Sequence, residues 1–262
     1  MRLISLALLC SGVCSAAGVG PAAPLQPLTI WFREPAPAFT ASCPVGNGRL
    51  GAMLFGGVDR ERIALNEQTL WSGGPQDADR ADAHEVLPEI RRLLFEGKNV
   101  EAQQLLSRNF ICQGAGSGLG RGQNVPYGCY EALGDLTLDF GTNGAAVSAY
   151  RRELDLDEAV ARVTFERAGV RQTRELFASA PDQVLVLRIE AGGDGRLNFR
   201  AGLDRKERAE VRAEGADLLL AGRLNNGTDG KGMRFTARLR AIAEGGSASA
   251  TGTGIEVMNA RA

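Results

Sequence analysis

Residues 43–75 read CPVGNGRLGAMLFGGVDRERIALNEQTLWSGGP, and the middle of this stretch decides the fold. Leu50-Gly51-Ala52-Met53-Leu54-Phe55 is an apolar run of strand length, closed by Gly56-Gly57. Val58-Asp59-Arg60-Glu61 reads as a polar turn, and Arg62-Ile63-Ala64-Leu65 leads back as a second strand. This is the pattern of a buried β-hairpin. The flanking segments, Pro44–Arg49 and Asn66–Pro75, then fall at one end of it, because antiparallel strands bring entry and exit together. The first sets Asn47 between two glycines; the second combines the amide of Asn66, the carboxylate of Glu67 and the indole of Trp71. Sugar hydroxyls need donors and acceptors, and sugar C–H faces stack on indole, so this is chemistry suited to a carbohydrate.

Working outward, Leu28–Phe32 is a strand candidate, broken by Pro35 and Pro37. A polar connection at 77–82 follows the hairpin. Then Ile90, Leu93 and Leu94 share a helical face, with Arg91 and Arg92 outward. Pro88 fits the first turn of that helix or kinks one begun earlier, and Gly97 suits its C-terminal cap. Asn99 is placed to cap a second helix carrying Ala102, Leu105, Leu106 and Phe110. The pair forms a short two-helix insertion at about 84–110. The glycine-rich loop 113–128 contains Gly118-Leu119-Gly120-Arg121-Gly122, but it lacks the Gly-Lys-Ser/Thr ending of a phosphate loop and reads as an ordinary loop. Tyr127 and Tyr130 at its exit are read as lining a sugar groove or, more often for such residues, as core edge.

From Leu133 onward the pattern is β. Runs at 136–140, 150–156, 159–165, 170–177, 197–203, 217–222, 233–239 and 255–258 are short strands separated by Gly/Asp turns. Gln183–Ile189 is nearly continuously apolar and is expected to be a central strand. The fold class is mostly β, a sandwich of antiparallel sheets with the helical insertion at its side. The chain stops just after its last strand, which suggests a sheet truncated at its C-terminal edge.

Several words of the sequence, in order from about Trp31 to Leu203, resemble the N-terminal β-domain of glycoside hydrolase family 95, the α-L-fucosidase family: PVGNGRLGAM, FGGV, LNEQTLWSGGP, YEALGDL, YRRELDLDEAVARV and TRELFASAPDQVLVLRI. Separate motifs agreeing in order make a specific match. The resemblance implies a super-β-sandwich that packs on a helical-barrel catalytic domain, with that barrel absent from this chain. It implies inverting hydrolysis of terminal α-L-fucosyl linkages, with no cofactor, by a glutamate acid and by asparagine and aspartate residues of the barrel. No position here matches that part of the motif, so no catalytic residue is assigned.

The chain has 262 residues, 44% of them apolar, which is ample for a core. Its 30 basic and 31 acidic residues give a formal net charge of −1, so composition makes no case for nucleic acid or an anionic membrane as partner. Met1-Arg2 with the apolar run Leu3–Leu9 and the small residues to Ala17 reads as a signal peptide over 1–17, followed by a flexible lead-in at 18–27 and the β-domain at 28–262. Val13 before Cys14 fits a lipoprotein cleavage box poorly, and no stretch reaches membrane-spanning length, so the expected product is soluble and exported, periplasmic or extracellular. Of five cysteines, Cys43, Cys112 and Cys129 remain after cleavage. Cys112 and Cys129 bracket the glycine-rich loop and either close it as a disulfide or stay unpaired. With His84 the single histidine and no Cys-x-x-Cys, no metal site is expected.

Among the carboxylates in the family-like words, Asp155, Asp157 and Asp182 read as turn residues, and Glu175 as a partner of Arg174 or Arg171 on a sheet face. Asp135 also lies in these words. Glu67 is either a loop brace, the preferred reading, or a substrate contact. Trp71 is either a buried loop anchor or a sugar platform. Asn47 reads as a turn residue. Asn47, Asn66, Glu67 and Trp71 together form a loop cluster that meets substrate or a neighbouring domain. Three readings of the chain follow. It is the N-terminal part of an α-L-fucosidase-like enzyme, inactive alone; or a freestanding carbohydrate-binding module; or a structural module that docks a separate barrel.

Overall fold

The computed structural model describes residues 28–75, 79–110, 128–141 and 144–262. The expected signal peptide and lead-in, most of the glycine-rich loop and Cys112 lie outside the described residues. The first part of the chain forms β1 (Thr29–Phe32), β2 (Cys43–Gly46), β3 (Leu50–Leu54) and β4 (Arg60–Glu67), then helices α1 (Leu87–Phe95) and α2 (Asn99–Asn109). β5 (Gly134–Asp139), β6 (Val147–Asp155), β7 (Val160–Arg167), β8 (Val170–Ser179), β9 (Val184–Ala191) and β10 (Leu197–Asp204) follow. The last five strands are β11 (Ala209–Glu214), β12 (Asp217–Arg223), β13 (Arg234–Arg240), β14 (Ser247–Thr251) and β15 (Gly254–Ala260).

The strands build three antiparallel sheets: β1-β6-β7-β8-β9, β14-β15-β10-β5-β4-β3-β2, and β11-β12-β13. The expected super-β-sandwich with a two-helix insertion is the observed fold. Period-2 alternation explains the packing. Along β7, Ala161, Val163 and Phe165 point inward, and Leu176 of β8 joins them. They meet Val45, Ala52, Leu54 and Ile63 from the facing sheet in one continuous apolar core, which Leu218 and Leu220 of the third sheet extend. Burial of such side chains contributes about 1.5–3 kcal/mol each.

The hairpin forms as expected, with Leu54 opposite Ile63 and Leu50 opposite Glu67. Its turn is shorter than the sequence suggests. β4 begins at Arg60, so Glu61 belongs to the strand and is buried beside the inward-facing Ile63. Its Oε1 accepts from the amides of Gly56 (2.8 Å) and Arg62 (3.1 Å), while Oε2 meets Arg174 Nη1 from β8 at 3.1 Å. Arg174 also donates to the carbonyls of Gly57 (2.5 Å) and Val58 (2.8 Å). Its guanidinium lies 4.1 Å from the Phe140 ring centre and 5.3 Å from that of Phe165. Burial pushes the Glu61 carboxyl up, against the pull of Arg174 and the Gly56 and Gly57 amides. The Gly56-Gly57 pair is required here. A Cβ on Gly56 (φ 79°) would sit 2.4 Å from the Tyr150 hydroxyl, and one on Gly57 would sit 1.9 Å from the Arg60 carbonyl oxygen.

Four local expectations are corrected. Arg174 faces the core, so Glu175 pairs instead with Arg162, its cross-strand neighbour, at 2.7 Å. β9 is an edge strand, at the end of the order β1-β6-β7-β8-β9, and of its apolar run only Ile189 is buried. Asn99 is the first helical residue of α2, and Lys98 takes the cap position, because Gly97 (φ 75°) turns the chain just after α1 and leaves only Lys98 before α2. The helices share a small core of their own, Ile90, Leu93 and Ala102, while Leu94, Leu106 and Phe110 are exposed. Pro88 sits in the first turn of α1. The strands β11 and β14 alternate strictly, but apart from Val211 their apolar residues are alanines, a weak strand signal that left them unforeseen.

Replacing Arg174 with Met leaves Glu61 buried without a counter-charge and is expected to cost about 3–5 kcal/mol in urea unfolding. Adding Glu61→Gln should recover part of that loss, since the amide keeps an acceptor for Gly56. Strictly additive losses would contradict the pairing.

Candidate functional site

The two hairpin-flanking segments do meet at one end. Gln68 N–H donates to the Arg49 carbonyl at 3.0 Å, and Arg49 Nε to Glu67 Oε1 at 2.9 Å. Asn47 is a turn residue, as its glycine neighbours suggest. Its Oδ1 accepts from the amides of Arg49 (3.0 Å) and Leu50 (2.8 Å), and its Nδ2 donates to the Ser179 carbonyl at 2.7 Å, tying the turn to the end of β8. Part of the segment read as loop is the strand β2, whose Val45 pairs with Ala52.

Glu67 is a brace. Its second oxygen accepts from the Thr69 amide (2.8 Å) and hydroxyl (2.6 Å), so both oxygens are engaged. Partial burial pushes its carboxyl up, but the Thr69 hydroxyl and amide and then Arg49 pull harder, and it is held below the usual glutamate range.

Trp71 is not the buried anchor of its loop. Leu70 is the buried anchor of this loop, and Trp71, the next residue, is 50% exposed. The loop is stitched to residues 129–131: Ser72 N–H donates to the Cys129 carbonyl (2.9 Å), Cys129 N–H to Ser72 Oγ (3.0 Å), and Glu131 N–H to the Leu70 carbonyl (3.0 Å). Gly128 permits this approach, since a Cβ there would lie 1.8 Å from the Ser72 carbonyl oxygen. The ring of Tyr130 stands edge-on to the indole, 5.4 Å between centres at 68°. The Tyr130 hydroxyl donates to Asn66 Oδ1 at 2.5 Å. Asn66 thus positions Tyr130, and Tyr130 positions Trp71.

A segment that sequence reasoning did not single out completes the site. Gly73 N–H donates to the Asn225 carbonyl at 2.7 Å, bringing residues 224–233 alongside Trp71. Between them lies an open groove of about 460 Å³, lined by Trp71, Gly74, Asn226, Thr228, Lys231 and Met233. Asn226 organises the far wall. Its Oδ1 accepts from the amides of Thr228 (3.1 Å) and Gly230 (3.0 Å), and its Nδ2 donates to Asp229 at 2.8 Å. The cluster Asn225-Asn226-Gly227-Thr228-Asp229-Gly230 is legible as a turn, but nothing local ties it to Trp71.

The remaining candidate carboxylates have structural partners. Asp135 pairs with Arg62 at 3.1 Å, Asp155 with Arg162 at 3.3 Å, and Glu175 with Arg162. Asp157 accepts from the Leu28 amide and Asp182 from the Ser179 hydroxyl. Cys43 is buried, with Arg152 Nη1 donating to its Sγ at 3.2 Å, and burial pushes its thiol up. Cys129 Sγ lies 3.4 Å from Ser72 Oγ; its expected partner Cys112 is outside the described residues. Among the described residues no helix is long and apolar enough to cross a membrane.

Stacked antiparallel sheets, with an aromatic-edged groove where the loop after β4 meets residues 224–233, define a β-sandwich domain. Over residues 30–262 the sequence matches the family described as glycosyl hydrolase family 65, N-terminal domain, and the chain belongs to that family. It is 34% identical over 249 residues to "Alpha-L-fucosidase 2" of Arabidopsis thaliana, covering 87% of this chain and 28% of that protein. It is also 35% identical over 159 residues to "Probable alpha-fucosidase A" of Aspergillus niger, covering 58% of this chain and 18% of the relative. The chain therefore spans less than a third of these relatives. They agree with the family 95 resemblance carried by the motifs.

A carboxyl held below its ordinary value adds stability above that value and loses it as pH falls through the folded-state value. Glu67 is such a group. On acidification from about pH 5 to 2, Trp71 fluorescence, read in a Trp31→Phe background, should change as the Arg49–Glu67–Thr69 brace releases. Glu67→Gln should remove that step; an unchanged step would assign it elsewhere.

Proposed function

We propose that this chain is the N-terminal β-domain of an α-L-fucosidase-like glycoside hydrolase and supplies support and substrate-side surface, with the catalytic groups on sequence outside it. The parent reaction is inverting hydrolysis of terminal α-L-fucosyl linkages in glycans, with no cofactor. The observation that carries this reading is the 34% identity to an α-L-fucosidase across 87% of the chain, together with the engagement of each candidate carboxylate by a structural partner. Hydrolysis needs two carboxyl groups, or one and a held water, poised across the bond. The exposed indole of Trp71 favours a second reading, a carbohydrate-binding module. The exposed apolar side chains of α1 and α2 favour docking to a helical barrel, within one polypeptide or between two. We also propose export by the signal peptide of residues 1–17, to the periplasm or the extracellular space.

Purified residues 18–262 should release no fucose from a fucosyllactose above blank. A chimera in which this chain replaces the matching segment of the Arabidopsis relative should retain α-L-fucosidase activity. A folded but inactive chimera would count against the reading. The secreted product should begin at Gly18 on N-terminal sequencing.

A further inference from the structure

We propose that the groove between Trp71 and residues 224–233 is a binding subsite for an uncharged pyranose of an oligosaccharide, separate from any catalytic group. The proposal deepens the glycan reading above and adds the site and its ligand class.

The first argument is the platform. Trp71 presents half of its surface to solvent, while Tyr130 fixes the indole edge and Asn66 fixes Tyr130. Ser72 and Leu70 hold the backbone on both sides through hydrogen bonds to residues 129 and 131. A large apolar ring held immobile at the surface costs little further entropy when a ligand stacks on it. The second argument is the facing wall. Met233, 42% exposed, offers an apolar surface, and Asn226, Thr228 and Lys231 offer polar groups. Their spacing is held by the Gly73–Asn225 hydrogen bond and by the turn that Asn226 closes. A space of about 460 Å³ is in the range of small-ligand sites.

The third argument selects the ligand class. Three ion pairs flank the groove, and the Arg223 guanidinium beside it is engaged by the Gly232 and Lys231 carbonyls. Lys231 pairs with Asp229 at 3.3 Å, Glu131 with Arg205 at 3.2 Å, and Glu67 with Arg49 at 2.9 Å. An anionic or cationic ligand would have to compete with these pairs, whereas a neutral ring with an apolar face and a rim of hydroxyls would not. Indole on one side and amide, hydroxyl and ammonium groups on the other match that amphipathic shape.

The test is titration of the full chain with lactose, 2′-fucosyllactose and an acidic control, sialyllactose, read by tryptophan fluorescence in the Trp31→Phe background and by ligand-observed NMR. Saturable, weak binding of the neutral sugars is expected. Trp71→Ala should weaken it about tenfold, with Trp71→Phe between the two. Met233→Glu on the opposite wall should also weaken it, and this keeps the proposal open to refutation if Trp71→Ala fails to fold by thermal unfolding. Absence of saturable binding overturns the site, as does unchanged affinity in either folded variant; preference for the acidic sugar overturns the ligand class. Binding together with an inactive chimera would sink the fucosidase reading and leave the site standing. An active chimera without binding would do the reverse.

Discussion

The ion pair between Glu61 and Arg174 is the constraint on which the rest of the sandwich depends. It is fully buried, it joins the two large sheets, and it sits where the hairpin turns. A buried pair gains little net stability, because desolvation offsets the attraction, but a wrong register would leave both charges unmatched in the core. β4 is eight residues long. Fixing Glu61 near its start therefore fixes where Asn66 and Glu67 emerge at its end. The groove end of the hairpin is positioned by chemistry at the opposite end.

Arg174 is one of three arginines that act in the same way from the β1–β9 sheet. Arg152 of β6 donates to the Ala41 carbonyl and to Cys43 Sγ, with its guanidinium 4.2 Å from the Phe32 ring centre. Arg167 at the end of β7 pairs with Asp59. Arg152 and Arg174 lie in register on either side of Val163. The three hold the irregular connections around residues 34–43 and 56–59, which have no ladder of their own. Multidentate guanidinium donors suit that task, since Arg152 and Arg174 each meet carbonyls that would otherwise be buried unpaired.

The groove draws on three segments far apart in the sequence: the loop after β4, the strand-like residues around Tyr130, and the connection from β12 to β13. The first is bound to each of the other two by backbone hydrogen bonds, and the side chains of Ser72, Asn66 and Asn226 reinforce the arrangement. That leaves Trp71, Thr228 and Met233 facing outward, while Leu70 and the glycines do the packing. Support and exposure are thus divided between neighbouring residues of one loop.

Local pattern was enough for the hairpin, most of the strands and the helical insertion, because apolar alternation and Gly/Asp turns are read over a few residues. It also marked Asn47 as a turn residue and Glu67 as a brace, whose partners Arg49 and Thr69 lie on the adjoining loops. Tertiary structure decided what depends on partners remote in sequence. Glu61 looked like a turn residue until Arg174 met it across the core. β9 looked central until the order of hydrogen bonding placed it at an edge. Trp71 could be the buried loop anchor until Leu70 took that position and left the indole half exposed, and its opposite wall, residues 224–233, carries no local sign of the indole it faces. Short-range patterning sets which segments are strands; only packing sets which side chains are left to meet a ligand.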